Sequence, residues 1–376
     1  MELEANTAIR ENGPETEFSS RWEILRPLQA TRYRSSYIAR SLREDLADHK
    51  VTLTVCRYEE RLLGNANYVE NVRKRLRHEA EMLALPLNFL PEAVDLFESR
   101  NRQEKFTFSG GKQLAESEPV LVTESFAGLP LEELVAKGTL DEVRALRIGL
   151  RLCDLLNDLH RWNVIALELR PEDLLIDETD HDRMWVASCA NYQRTSAKGT
   201  VDAQSLVVPL SDFAFAAPEV EKGSGRLDRR VDIYSLGAMV HYLLTGITAR
   251  ALRLEKKPSW RAIGHLSLET QTFIRRCLAL DPVARFDETK SARSAIRSAL
   301  VNALEVAEGR KGAQRPLPAV TAPGALAVEK AARTTTAAPA DDPLLPGLVK
   351  IALLPVTAPM QALRWIFSDP TGSARP

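Results

Sequence analysis

The sequence predicts an α+β fold in which a small β-rich lobe is followed by a larger helical lobe, and three observations carry that expectation. Runs rich in β-branched and aromatic residues, Ser36-Tyr37-Ile38-Ala39 and Val51-Thr52-Leu53-Thr54-Val55, lie early in the chain, and Pro119-Val120-Leu121-Val122-Thr123 follows them. Past Gly128 the apolar residues recur at three- and four-residue steps, the period of amphipathic helices. Of the 376 residues, 44% are hydrophobic, which supplies a sizeable core.

Taken in order, residues 1–20 are polar and acid-rich, do not resemble a secretory signal and read as a disordered tail. Ordered sequence is expected from Arg21-Trp22-Glu23-Ile24-Leu25 to about residue 304, with the first lobe over about 21–124 and the second over about 128–304. Between the strands a helix carries Val69, Val72, Leu76, Ala80 and Leu83 on one face, while Arg73, Lys74, Arg75 and Arg77 read as a solvated face or a partner-binding patch. Thr139 and Glu142 have capping-box spacing ahead of an apolar stripe of Val143, Leu146, Leu150, Cys153 and Leu156. Further helices are expected over about 229–245, 268–279 and 290–304.

Residues 305–342 turn to Ala, Pro and Thr without apolar periodicity and read as a linker, followed by an apolar segment over 343–368 and a tail over 369–376. The apolar segment approaches the roughly 20 residues that span a bilayer. Pro346, Gly347, Pro355 and Pro359 interrupt it, however, and Lys350 and Arg364 place charge within it. A peripheral membrane anchor or a peptide that docks on protein is therefore expected.

Fifty basic against fifty-one acidic residues leave a net charge of -1, so no bulk field favours nucleic acid, and none is expected as a partner. Cys56, Cys153, Cys189 and Cys277 are scattered without metal-ligand spacing, which argues against a zinc site and for a reducing cytoplasm.

Several motifs occur in a consistent order. The run Leu159 to Ile176, LHRWNVIALELRPEDLLI, resembles the catalytic-loop region of protein kinases, roughly LHxxgIiHRDLKPENILI, without a gap. Val122-Thr123-Glu124-Ser125-Phe126-Ala127-Gly128 resembles the hinge, with Thr123 as gatekeeper. Ala217-Pro218-Glu219, Asp232-Ile233-Tyr234-Ser235-Leu236-Gly237 and Leu278 to Phe286, LALDPVARF, match the later landmarks of that family. The chain thus resembles a degenerate member of the eukaryotic-like, bacterial-type serine/threonine kinases over about residues 21–304. The resemblance implies their bilobal fold.

That resemblance also shows what has changed. The three phosphate-loop glycines fall on Gln29, Thr31 and Arg34, and the lysine that meets the phosphates falls on Thr54. Glu79 stands where its glutamate partner would be, and reads either as a vestige of that pair or as an ordinary solvated charge. The catalytic aspartate becomes Glu168, the metal-binding asparagine Asp173, and the lysine between them Arg170. The DFG triplet falls on Ser188-Cys189-Ala190, so the magnesium-bridging carboxylate is lost, while Asp212-Phe213-Ala214 lies too close to Ala217 to serve instead. Ala166 and Leu167 replace the His and Arg of the HRD motif, and Leu167 offers no donor to a phosphorylated loop.

Glu219 and Arg285 fall where the family forms a buried ion pair, and Asp232 where it receives catalytic-loop amides. His160 reads as a packing or hydrogen-bonding histidine, and Cys189 as a small buried hydrophobe. The expected function is a regulatory or scaffolding pseudokinase that binds an unidentified protein partner and needs no cofactor or metal. The alternative is an unconventional serine/threonine kinase using ATP and magnesium, with Glu168 and Asp173 holding the metal and Arg34 or Arg170 replacing the lysine.

Overall fold

The structure, a computed structural model, describes residues 8–10, 20–31, 33–41, 50–99, 118–177, 179–180, 183–206, 213–254 and 260–309. Residues 310–342 of the expected linker, the 343–368 segment, the final tail and Asp212 lie outside the described residues, whereas 305–307, expected to open the linker, continue the last helix.

The β-branched and aromatic runs form one antiparallel sheet of β1 (Ala8–Arg10), β2 (Ser20–Ala30), β3 (Arg34–Ser41), β4 (Lys50–Cys56), β5 (Ala93–Ser99) and β6 (Glu118–Glu124). The strand order is β1-β2-β3-β4-β6-β5. Alternating side chains bury Trp22, Ile24, Tyr37, Leu53, Val55, Phe97 and Val122 in one cluster. β1 is a departure from expectation, because Ala8–Arg10 falls in the stretch read as a tail yet pairs with β2.

Helix α1 (Ala66–Leu83) starts at Asn65, whose side chain accepts from the Tyr68 amide, and it buries all five apolar residues of the predicted stripe. Its basic residues are not the solvated face the sequence implied. Arg73 is 9% exposed and pairs with Glu118, Arg77 pairs with Glu98 at 2.8 Å, and Lys74 alone of the four is exposed.

The second lobe holds β7 (Leu129–Pro130), α2 (Leu131–Lys137), α3 (Glu142–Arg161), β8 (Val164–Ile165), β9 (Leu174–Ile176), β10 (Met184–Val186), β11 (Gln193–Arg194) and β12 (Thr200–Asp202). There follow α4 (Pro218–Glu221), β13 (Arg226–Asp228), α5 (Arg230–Thr245), α6 (Ala249–Leu254), α7 (Leu268–Cys277) and α8 (Thr289–Ala307). The α3 stripe lies where predicted, but its start is not a Thr139/Glu142 capping box. Asp141 is the N-cap, accepting from the Arg144 amide at 2.9 Å, and Glu142 instead receives the Ser267 hydroxyl.

Helix α5 is apolar nearly all round and is enclosed by its neighbours, as such a helix must be. It meets α7 so closely that a Cβ on Gly237 would lie 2.3 Å from the Cβ of Cys277. The two-lobed α+β class predicted from the sequence is the class observed.

Candidate functional site

The loop after α3 is shaped by one carboxylate. Asp232, fully buried on α5, accepts from the amides of Ala166 at 3.0 Å and Leu167 at 2.9 Å, and bonds His160 Nε2 at 2.8 Å. Thr289 Oγ1 holds the other His160 nitrogen at 2.9 Å. These bonds keep Leu167 at φ 62, a left-handed conformation that costs a side-chain-bearing residue about 1 kcal/mol or more.

Glu168, next along the loop, is 4% exposed, and its Oε1 accepts the Phe215 amide at 2.9 Å. Its carboxylate therefore anchors the chain leading to Ala217-Pro218-Glu219. Beyond that point Glu219 meets Arg285 through two bonds of 2.7 and 2.9 Å. Arg285, 1% exposed, also donates to the carbonyls of Ala279, Arg230 and Leu280, and its guanidinium lies over the Tyr234 ring.

The cleft between the lobes follows from strand register. Ser36 lies opposite Thr54, and their hydroxyls bond at 3.0 Å. Arg34, two residues before Ser36, shares that face of the sheet. Its Nη1 reaches Glu79 Oε1 at 3.2 Å and the Ala187 carbonyl at 3.0 Å, while its Nη2 reaches Asp173 Oδ1 at 3.4 Å. Glu79 is thus no solvated charge: it is 3% exposed and also receives the Cys189 amide at 3.1 Å.

Further bonds close the seam. Gln29 Nε2 donates to the Glu172 carbonyl at 2.9 Å, Arg75 Nη2 to Asn191 Oδ1 at 2.7 Å, and His78 Nε2 lies 2.6 Å from the Tyr192 carbonyl. Arg170 pairs with Glu172, and its Nε lies 3.9 Å from Asp173.

In the cleft three guanidinium groups (Arg34, Arg75, Arg170) meet the carboxylates of Glu79, Glu172 and Asp173, and Glu168 at its base also acts on Arg170. Burial opposes the Arg170 charge, yet Asp173 and Glu172 outweigh it and raise its pKa. Burial, and then the charge of Arg170, lowers the pKa of Arg75. Burial raises Glu172 against the pull of Arg170, and raises the Cys189 thiol far up, with Glu79 adding to it, so that thiol is inert at neutral pH.

Magnesium does not fit this donor set. It demands near-octahedral oxygen ligands with carboxylates among them. Asp173 is committed to arginine, Glu168 to a backbone amide, and Ser188 offers only a neutral hydroxyl.

The structure thus brings together Thr54, Glu79, Arg170 and Asp173 around the cleft, with Glu168 at its base. Glu219, Asp232 and Arg285 stand within the helical lobe. Sequence reasoning missed Gln29, Arg75 and Asn191 as seam residues. In the sequence Arg75 reads as one of a basic cluster, but its position four residues before Glu79 places both on one face of α1, a signal that sets it apart.

Comparison with known proteins points to the same family as the motifs. The sequence profile described as "Protein kinase domain" matches residues 67–298. The chain is 30% identical over 134 residues to Developmentally-regulated protein kinase 1 of Dictyostelium discoideum, a match covering 34% of this chain and 18% of that protein. It is 23% identical over 293 residues to the serine/threonine-protein kinase PrkC of Bacillus subtilis, covering 75% of this chain and 41% of that protein. In both cases it spans less than half of the relative's length. Among solved structures, the Mycobacterium tuberculosis PknI kinase domain superposes with a TM-score of 0.55 at 16% identity, covering 79% of this chain and 100% of that one.

Proposed function

Because the chain belongs to the protein kinase family while the cleft between its lobes is occupied by its own paired side chains, we propose that it is a pseudokinase. In this reading it is a regulatory or scaffolding module that binds another protein and does not transfer phosphate. The observation that carries the reading is Arg34, which fills the position of a phosphate-loop glycine and spends its charge on Glu79 and Asp173. A nucleotide would have to displace that arginine and would find no strand lysine at Thr54 and no magnesium-bridging carboxylate at Ser188.

Each lost electrostatic clamp costs roughly 10²- to 10³-fold in turnover. Glu168 adds to the case, since its carboxylate already receives the Phe215 amide. The test is a pair of measurements on the purified protein, radiolabel transfer from ATP and thermal melting with ATP with and without magnesium. No transfer and no magnesium-dependent stabilisation are expected. A ligand at 100 times its Kd would add about 2.7 kcal/mol, which melting detects easily.

The Arg34–Glu79 pair also favours a second reading, an unconventional ATP-dependent serine/threonine kinase in which Arg34 does the work of the missing lysine. A magnesium-dependent rise in melting temperature with ATP that Asp173→Ala abolishes would establish this reading and sink the first. We place the folded domain in the cytoplasm, with 343–368 as a peripheral membrane anchor or a docking peptide.

A further inference from the structure

A cavity of about 670 Å³ opens on the helical lobe, away from the interlobe cleft, between the turn after α3, residues 195–200 and the start of α5. Its volume lies within the roughly 300–1,000 Å³ typical of small-ligand pockets, but its walls are mainly polar. Lys198, Arg229 and Arg230 bring three positive charges to it, against the carboxylates of Asp228 and Asp287.

These charges are not equally free. Arg230 is clamped by Asp228, with Nε at 3.0 Å and Nη2 at 2.6 Å from its oxygens. Arg229 donates its Nε to the Asp287 carbonyl at 2.9 Å and its charge acts on Asp228, but its terminal nitrogens make no hydrogen bond among the described residues. Lys198 is exposed and makes no ion pair among the described residues. Both arginines stand at the start of α5, where the helix dipole favours anions, and the carboxylate of Asp232 in the same turn is taken up by the amides of Ala166 and Leu167 and by His160.

The walls are fixed. His160 is held at both ring nitrogens by Asp232 and Thr289. Asn163 sits at φ 54 with its carbonyl accepting from Thr195 through the amide at 2.7 Å and the hydroxyl at 3.1 Å. The Ser196 amide donates to the Thr200 carbonyl at 2.8 Å, which closes the loop carrying Lys198.

We infer that this cavity binds a phosphate monoester, with the phosphate between Lys198 and Arg229 and the polar body of the ligand against Thr195, Thr200 and Asn163. Its volume exceeds that of a bare phosphate, and its mainly polar walls favour a polar ligand. The site goes beyond the reading of the cleft and stands whether or not the chain transfers phosphate. The monoester can come from a free metabolite or from a phosphorylated side chain.

Calorimetric titration of the full chain with ribose 5-phosphate and with a short phosphoserine peptide tests this, each beside its unphosphorylated counterpart and beside sulfate at equal ionic strength. At least one phosphomonoester is expected to bind saturably and roughly tenfold or more tighter than its unphosphorylated form. Lys198→Ala and Arg229→Ala should each weaken it by roughly tenfold, the loss of one charge-assisted contact. Lys198→Gln, which keeps the length of the side chain, should do the same. Both side chains are exposed, and unchanged melting temperatures confirm that the variants are folded. Binding by the peptide alone assigns the source to phosphorylated protein, and binding by ribose 5-phosphate alone to a metabolite. Binding that is absent, no tighter than sulfate, or indifferent to all three substitutions overturns the inference.

Discussion

A guanidinium group that is 1% exposed must find every partner inside the protein, and Arg285 finds Glu219, three carbonyls and the Tyr234 ring. Removing it strands the Glu219 carboxylate and three carbonyls, and breaking such a pair costs roughly 3–5 kcal/mol. Arg285→Ala should therefore melt far below the parent or be recovered only as insoluble protein, and a variant that melts like the parent refutes this account of the C-terminal landmarks. In the cleft, Arg34→Ala and Glu79→Ala should each destabilise, yet the double variant should lose less than the sum. Chemical denaturation of all four proteins measures that coupling, expected at about 0.5–3 kcal/mol for groups in direct contact. Additive losses would mean that the two side chains do not interact. The sequence alone named Arg34 and Arg170 as rival substitutes for the lysine. Strand alternation favours Arg34, but only once Ser36 is known to lie opposite Thr54, and that register is a tertiary fact.

At the scale of elements, helices with a one-sided apolar stripe were legible, because burial of that stripe is what makes them helices in the protein. Their ends were less so. Thr139 and Asp141 both offer capping side chains, and local spacing cannot tell which the chain will use; Glu142 leaves the capping box because Ser267 on a distant segment takes its carboxylate. β1 escaped notice for a similar reason, since three residues carry no period and owe their strand to the free edge of β2. Gly237 gives this scale its prediction. With a new Cβ 2.3 Å from the Cβ of Cys277, Gly237→Ala forces α5 and α7 apart, an overpacking worth about 1–3 kcal/mol. Cys277→Ala should not rescue it, because alanine keeps the offending carbon. Full rescue would show that the sulfur causes the conflict.

For the whole molecule, the proposal that residues 343–368 anchor or dock the protein is tested by deleting residues 343–376. Membrane association that salt or carbonate extracts and that truncation abolishes supports a peripheral anchor. A soluble protein that loses a partner on truncation supports docking, and resistance to carbonate would sink both. Among the described residues no helix is long and apolar enough to cross a membrane. The lobes themselves are held by Arg34, Gln29, Arg75 and His78, each reaching across the cleft to the helical side. This arrangement bears on what position 54 can hold. Thr54→Lys would set a second cation beside Arg34 over the same Glu79 carboxylate, and is expected to lower the melting temperature. A lysine at position 54 and the arginine at position 34 are therefore expected to compete for one partner, and Arg34→Ala in the same chain should relieve the loss.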